Sequence, residues 1–194
     1  MKVLFLGRRD SPVLAHLRDV EERVFRTARP LVRADPRVLR ADFVVSHLYL
    51  HRVRPWALDR FPCRAVNLHN SFLPHNRGWH AVLWSVLEGT PAGVTIHHMD
   101  ENLDTGDVIA QREVALAPDL TLKQAWRALQ DDLASLFCEW WPRIREGDCP
   151  ARPQPSGGSY HSRSELPSVE HLLTRGWQTT LGEVEEAATS EAER

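Results

Sequence analysis

The stretch Ala65-Val66-Asn67-Leu68-His69-Asn70-Ser71-Phe72-Leu73-Pro74 sets a short, largely apolar run directly before a polar loop that ends in proline. Its first five residues read as a strand. Asn67 and His69 are two apart, so their side chains leave the same face of that strand. Working outward, residues 3–6 (Val-Leu-Phe-Leu, ending at Gly7) and 42–46 (Asp-Phe-Val-Val-Ser) are continuous apolar runs of the kind buried on both faces of a parallel sheet. Residues 94–99 and 108–110 read as two more strands, with a turn over 100–107 between them, and a further short strand lies near Val24-Phe25.

Helices fill the gaps. Asp10-Ser11-Pro12 is a helix start, a capping residue before an early proline, and that helix runs to about Val20. Residues 55–60 fit a short helix or turn, and 79–87 a helix ended by Gly89. Thr121 with Gln124 is a capping box. From there Leu122, Trp126, Leu129, Leu133, Leu136 and Trp140 recur at steps of four and three as the apolar face of a long helix that stops at Gly147. After Pro150 the composition turns to proline, glycine and serine, read as a linker or an ordered surface loop. A small helical appendage over 161–177 and an acidic, alanine-rich tail, frayed or disordered, follow. Strands alternating with helices give an α/β fold with a mainly parallel, twisted sheet flanked by helices. The expected division is a catalytic domain over 1–149 and a linker with a short C-terminal appendage over 150–194.

The 194 residues suffice for one domain with a sizeable core, burying roughly 70% of the unfolded surface. The formal net charge of −2 argues against a nucleic-acid partner. No apolar run approaches the roughly 20 residues that span a bilayer, so no membrane partner is expected. Of the 24 basic residues only Lys2 and Lys123 are lysines, an imbalance read mainly as codon usage. Cys63, Cys138 and Cys149 are odd in number and far apart, which indicates neither a disulfide framework nor a thiolate zinc site. With no signal-peptide pattern at the N-terminus, the expected location is the cytoplasm.

Several chemistries fall away. Gly7-Arg8-Arg9-Asp10-Ser11 holds a single glycine where a dinucleotide-binding turn needs three. Leu103-Asp104-Thr105-Gly106 matches the aspartic-protease triplet in an α/β rather than an all-β setting. Among the ten histidines, His69, His75 and His80 cross a loop at no zinc spacing. His97 and His98, adjacent on a strand, point to opposite faces, so no metal site is assigned.

What remains is Asn67 and His69 at the carboxyl end of a strand, where open α/β sheets bind ligands. Asp104 lies in the loop after another strand and within reach of the same crevice. An amide, an imidazole and a carboxylate together can stabilise an oxyanion and move a proton, as acyl transfer to an amine requires. Taken alone, Asn67 and His69 would read as strand-end capping; the loop and the Asp104 segment tip the balance.

The intact Asn-x-His-x-Ser-x-Leu-Pro loop over 67–74, with Gly93-Val94-Thr95 and Asp104-Thr105-Gly106 after it, resembles the folate-dependent formyltransferases. That family includes the glycinamide ribonucleotide, methionyl-tRNA and sugar N-formyltransferases. The resemblance covers about 42–114, over a third of the chain, and implies a Rossmann-like fold. It makes Asn67, His69 and Asp104 the catalytic trio, with Asn67 and His69 holding the oxyanion and Asp104 orienting or charging His69. It implies N10-formyltetrahydrofolate as formyl donor, bound by Leu48, Tyr49, Leu50, His51 and Val53 of one loop and by Met99, Asp100 and Asn102 of another, largely through backbone groups. Relatives often carry glycine where this chain has Leu48. Arg52 or Arg54 could steer the anionic tail of a folate, and a solvated surface accounts for them equally well.

The acceptor implied is the primary amine of a small molecule, such as a nucleotide-linked amino sugar or a specialised metabolite. Arg8 and Arg9 are candidates for an anionic group on it, with Ser71, Asn76, Arg77 and Gly78 on the acceptor side. Three rivals are a formyltetrahydrofolate deformylase, a metal-dependent hydrolase using the histidines, and an inactive binding module of the same fold. With only 66 residues before Asn67, an abbreviated N-terminal half is expected, shortened around 26–40. The bulky stretch 133–141 fits either a homodimer interface or a deep core contact.

Overall fold

The computed structural model describes residues 1–193. From the N-terminus the chain forms β1 (Lys2–Gly7), α1 (Pro12–Asp19), β2 (Arg23–Thr27), α2 (Pro36–Arg40), β3 (Phe43–His47), α3 (Pro55–Leu58) and β4 (Ala65–His69). It continues through β5 (Arg77–Gly78), α4 (Ala81–Leu87), β6 (Gly93–His98), β7 (Val108–Glu113) and α5 (Leu122–Glu146). Last come β8 (Tyr160–His161), α6 (Leu166–Val169) and α7 (Leu181–Ala192). Six strands make one mixed sheet in the order β2-β1-β3-β4-β6-β7, with parallel pairing from β2 through β4. The short β2–α2 unit fills the region expected to be abbreviated. The chain steps from β1 outward to β2 and then back across to β3. This reversal lies between β1 and β3, one strand from β4, and such reversals open a crevice at the strands' carboxyl ends.

Two compact units are present. The first comprises Met1–His69, Ile96–Ala110 and Leu133–Gln154. Its sheet is apolar on both faces, as the unbroken runs in β1 and β3 require. On one face Leu4, Leu6 and Val44 pack with Val38 of α2, Ala57 of α3 and Val53. On the other, Phe43 meets the edge of Trp141 at 5.4 Å, and Trp141 stacks with Phe137 at 5.2 Å. α1 starts as the sequence indicates: the Ser11 hydroxyl accepts from the Leu14 amide and Pro12 occupies the first turn. Gly7 sits where a Cβ would lie 2.1 Å from the His47 carbonyl, so this strand end admits no side chain.

The second unit comprises Asn70–Thr95, Gln111–Asp132 and the chain from Pro155 on. Its two-stranded sheet pairs β5 with β8 in parallel register, Arg77 against Tyr160 and Gly78 against His161. α7 begins with a capping box in which Thr180 and Glu183 satisfy each other's backbone amides, and it buries Leu181 and Val184. The tail expected to fray or be disordered is therefore a capped helix with its own apolar contacts. α4 begins at Ala81, later than the sequence pattern suggests, because His80 takes a left-handed conformation at φ 59°.

α5 opens with the expected Thr121–Gln124 box. Its buried stripe is Leu122, Ala125, Leu129, Leu133, Leu136, Phe137, Trp141 and Ile144. Trp126 and Trp140, counted in the sequence-derived face, flank that stripe: Trp126 is exposed and Trp140 is half-buried beneath the Arg143 guanidinium.

Candidate active site

Asn67 and His69 lie at the carboxyl end of β4, beside Ser46 and His47 of β3. The turn between β6 and β7 brings Asp104 to them. The Asn67 amide nitrogen donates to Asp104 Oδ1 at 3.1 Å, and His69 Nδ1 lies 3.7 Å from Asp104 Oδ2, an ion-pair rather than a hydrogen-bond distance. The three residues that the sequence pattern brings forward thus meet through one carboxylate, each oxygen facing a different partner. His69 is buried and Asp104 nearly so, so each contact acts in a medium less polar than water.

A fourth side chain belongs to this cluster. His97 of β6 is buried, with Nε2 at 3.2 Å from the Asn67 amide nitrogen and 3.5 Å from Asp104 Oδ1. Its Nδ1 lies 2.7 Å from the His98 carbonyl, which can only accept, so Nδ1 carries the proton and Nε2 presents a lone pair to Asn67. Both N–H groups of the Asn67 amide are therefore engaged, one with Asp104 and one with His97. Donation from Asn67 to an oxyanion would exchange one of these two bonds for it. In the sequence His97 stands out only as a metal-ligand candidate beside His98. The available signal was a histidine one strand over from Asn67, legible once β4 and β6 are known to be neighbours.

The Asp104 turn is held from several directions. Asp104 is left-handed at φ 58°, a conformation that aspartate tolerates better than most residues. Both carboxylate oxygens of Asp100 accept from the Thr105 hydroxyl at 2.8 Å, and Asp100 also caps the Asn102 amide at 3.1 Å. Gly106 passes so close to the His98 carbonyl that a Cβ would lie 2.0 Å from it. The Gln154 side chain donates to the carbonyls of Asp104 and Gly106, at 2.8 and 2.9 Å.

The two loops expected to take the donor are joined: Arg52 donates to the Glu101 carbonyl. Leu48 is left-handed at φ 56°, which is the physical reason for a glycine at such a position in a relative. Tyr49 donates to the Arg29 carbonyl at 2.9 Å and meets the His51 ring edge-on, and its burial pushes the phenol up. Val53 is a core residue, with Tyr49 and Met99 packed on the same cluster, so Val53 offers a ligand its backbone rather than its side chain. Leu50 and Leu103 are the exposed apolar tips, at 67% and 40%. At the neighbouring strand ends, Ser11 and His47 Nδ1 form a buried hydrogen bond of 2.8 Å. Arg8 is held by Asp10 in a two-pronged exposed pair that lowers the Asp10 carboxyl, and Arg9 is exposed. Among the described residues no group of three His, Cys, Asp or Glu side chains is placed to hold a metal ion.

Residues 15–139 match the family described as formyl transferase. The chain belongs to the formyl transferase family. The dTDP-4-amino-4,6-dideoxyglucose formyltransferase of Mycobacterium tuberculosis is 33% identical over 135 residues, which cover 70% of this chain and 57% of that relative. The methionyl-tRNA formyltransferase of Symbiobacterium thermophilum is 33% identical over 146 residues, 75% of this chain and 45% of the relative. The chain thus spans about half the length of these curated relatives. Among solved structures, the formyltransferase PseJ from Anoxybacillus kamchatkensis, in complex with UDP-4,6-dideoxy-4-formamido-L-AltNAc and tetrahydrofolate, is 38% identical. It aligns with a TM-score of 0.92 over 96% of this chain and 100% of that one.

The residues expected on the acceptor side lie in the second unit, except Arg8 and Arg9. Ser71 gives its carbonyl to the Thr95 hydroxyl at 2.7 Å, while its own hydroxyl is buried with no protein partner. Asn76 is fully buried: its backbone amide donates to Ser159, its side-chain amide donates to Thr90, and its Oδ1 accepts from Ser159. These bonds make it part of the frame of the loop. Arg77 and Gly78 form β5. Behind them His161 stacks on Trp84 at 3.8 Å and lies between Glu88 Oε1 at 2.8 Å and Glu165 Oε2 at 3.0 Å.

Proposed function

We propose that this formyl transferase moves a formyl group from N10-formyltetrahydrofolate to the primary amine of a nucleotide-linked amino sugar. The observation that carries the reading is the meeting of Asn67, His69 and Asp104 at the end of β4, in a chain aligned along its length with a formyltransferase that holds a UDP-linked formamido sugar and tetrahydrofolate.

The donor suits the first unit. The loops around 48–53 and 99–104 are tied by Arg52 and expose Leu50 and Leu103, against Val53, Tyr49 and Met99. Such a surface fits a flat ring with polar edges, contacted through backbone groups. When bound, the donor supplies the formyl carbon; the N10–carbon bond breaks as the acceptor nitrogen bonds to that carbon. His69, imidazole toward Asp104, stabilises the negative charge that gathers on the formyl oxygen. Asn67 adds an amide donor on exchanging one of its present partners. Asp104 orients His69 and takes part in passing the proton that the amine loses to N10 of the departing tetrahydrofolate. Oxyanion donors of this kind are typically worth about 2.7–4 kcal/mol of barrier each.

The test is incubation with N10-formyltetrahydrofolate and a panel of UDP- and dTDP-linked amino sugars, read by mass spectrometry. A gain of one formyl group on a sugar amine is expected. Formate release at the same rate with and without amine would overturn the reading in favour of deformylation.

A further inference from the structure

We propose that Gln154 is a positioning residue for this reaction, its side-chain amide holding the turn that aims Asp104 at His69 and Asn67. The inference rests on the proposed formyl transfer. Gln154 lies beyond residue 139, where the family match ends, in a segment that composition alone marks as a linker.

The segment is anchored. After α5 the chain returns to the sheet edge, where Val108 and Arg152 exchange backbone hydrogen bonds of 2.8 and 2.9 Å as an antiparallel bridge. Gln154 follows two residues on. Its Nε2 reaches two carbonyls of one turn, Asp104 at 2.8 Å and Gly106 at 2.9 Å. Two N–H groups on one planar amide thus fix two carbonyls that bracket Thr105. The turn needs such a brace: Asp104 is left-handed and Gly106 is pressed against the His98 carbonyl. Other ties on the turn run from Asp100 to Asn102 and Thr105, and from Arg52 to Glu101. Gln154 alone among these acts on the backbone of Asp104 itself. A small rotation there moves the carboxylate off the 3.1 Å contact with Asn67 and the 3.7 Å contact with His69.

The test is a set of variants in the full chain. Gln154→Met keeps the bulk and loses the donors; Gln154→Glu turns oxygens toward both carbonyls; Gln154→Lys restores donors. For the first two, kcat is expected to fall about 10- to 100-fold, the effect of misplacing a catalytic group by an ångström or less. KM for donor and acceptor should not change, and Gln154→Lys should recover most of the rate. The His69 Hε1 resonance should shift in Gln154→Met and Gln154→Glu, because its carboxylate neighbour has moved. A wild-type kcat in Gln154→Met, a loss confined to KM, or an unmoved His69 resonance in folded Gln154→Glu would each overturn the proposal. Should both variants fail to fold, Gln154→Asn, with the same donors one methylene shorter, is measured instead: a wild-type rate there overturns it. The resonance needs no substrate. If the wild-type protein transfers no formyl group, the proposed function fails while the His69 signal still decides the role of Gln154.

Discussion

His97 Nε2 accepts from the Asn67 amide at 3.2 Å while His97 Nδ1 donates to the His98 carbonyl at 2.7 Å. The second bond fixes the tautomer that the first one needs. Replacing His97 by Phe removes the acceptor and frees the Asn67 amide to rotate, and kcat should fall about 10- to 100-fold. His97→Gln, whose side-chain oxygen can stand where Nε2 stood, should retain more activity than His97→Asn, which mimics only Nδ1. Steady-state rates of the three variants check the order.

Asp104 faces His69 with one oxygen and Asn67 with the other. Asp104→Asn keeps the shape of the turn, whose backbone bonds to Gln154 do not involve the carboxylate. It also removes the charge beside His69. Turnover at saturating donor and acceptor should drop about 100-fold or more, within the range for a lost acid–base partner, with an unchanged melting temperature.

The two tryptophan environments of α5 predict stability effects of unequal size. Trp141→Ala empties a fully buried site against Phe43 and Phe137 and should cost about 3–5 kcal/mol in urea unfolding. Trp126, 37% exposed, should cost about 1 kcal/mol or less as alanine.

The cap of α7 predicts an acid-sensitive element. The Thr180 backbone amide, then Arg175 and the Thr180 hydroxyl, lower the Glu183 carboxyl from 4.5 to about 2. A depressed carboxylate favours the fold above its unfolded value, and that contribution disappears as pH falls through its folded value. Between pH 4.5 and about 2, wild-type protein should therefore lose melting temperature relative to Glu183→Gln, and the two curves should run parallel above that window. A constant gap down to pH 2 would contradict this.

The strand–helix alternation and the shared face of Asn67 and His69 are legible in the sequence because both rest on local spacing: unbroken apolar runs for β1 and β3, two-residue separation for Asn67 and His69. The rest depends on partners far along the chain. His97 becomes meaningful only once β6 is known to lie beside β4. Gln154 sits among prolines and glycines, and only the Val108–Arg152 bridge turns it toward Asp104. The buried face of α5 lies a fraction of a turn from the sequence-derived one, because steps of four and three pass through Trp126 and Trp140, whereas the buried stripe runs through Ala125 and Trp141. His80 delays α4 through a left-handed φ that no composition rule assigns to histidine.

The hydrogen bonds between Asn76 and Ser159 join residues 83 positions apart, and the β5–β8 pair closes the same span. Loop closure grows costlier with length, though slowly, so this clasp gains from forming after the local βα units have condensed. A chain emerging from the ribosome would have Asn67, His69 and Asp104 made well before Ser159 and His161 appear. The loop carrying Ser71 and Asn76 thus gains its last contacts only once residues 159–161 have been made.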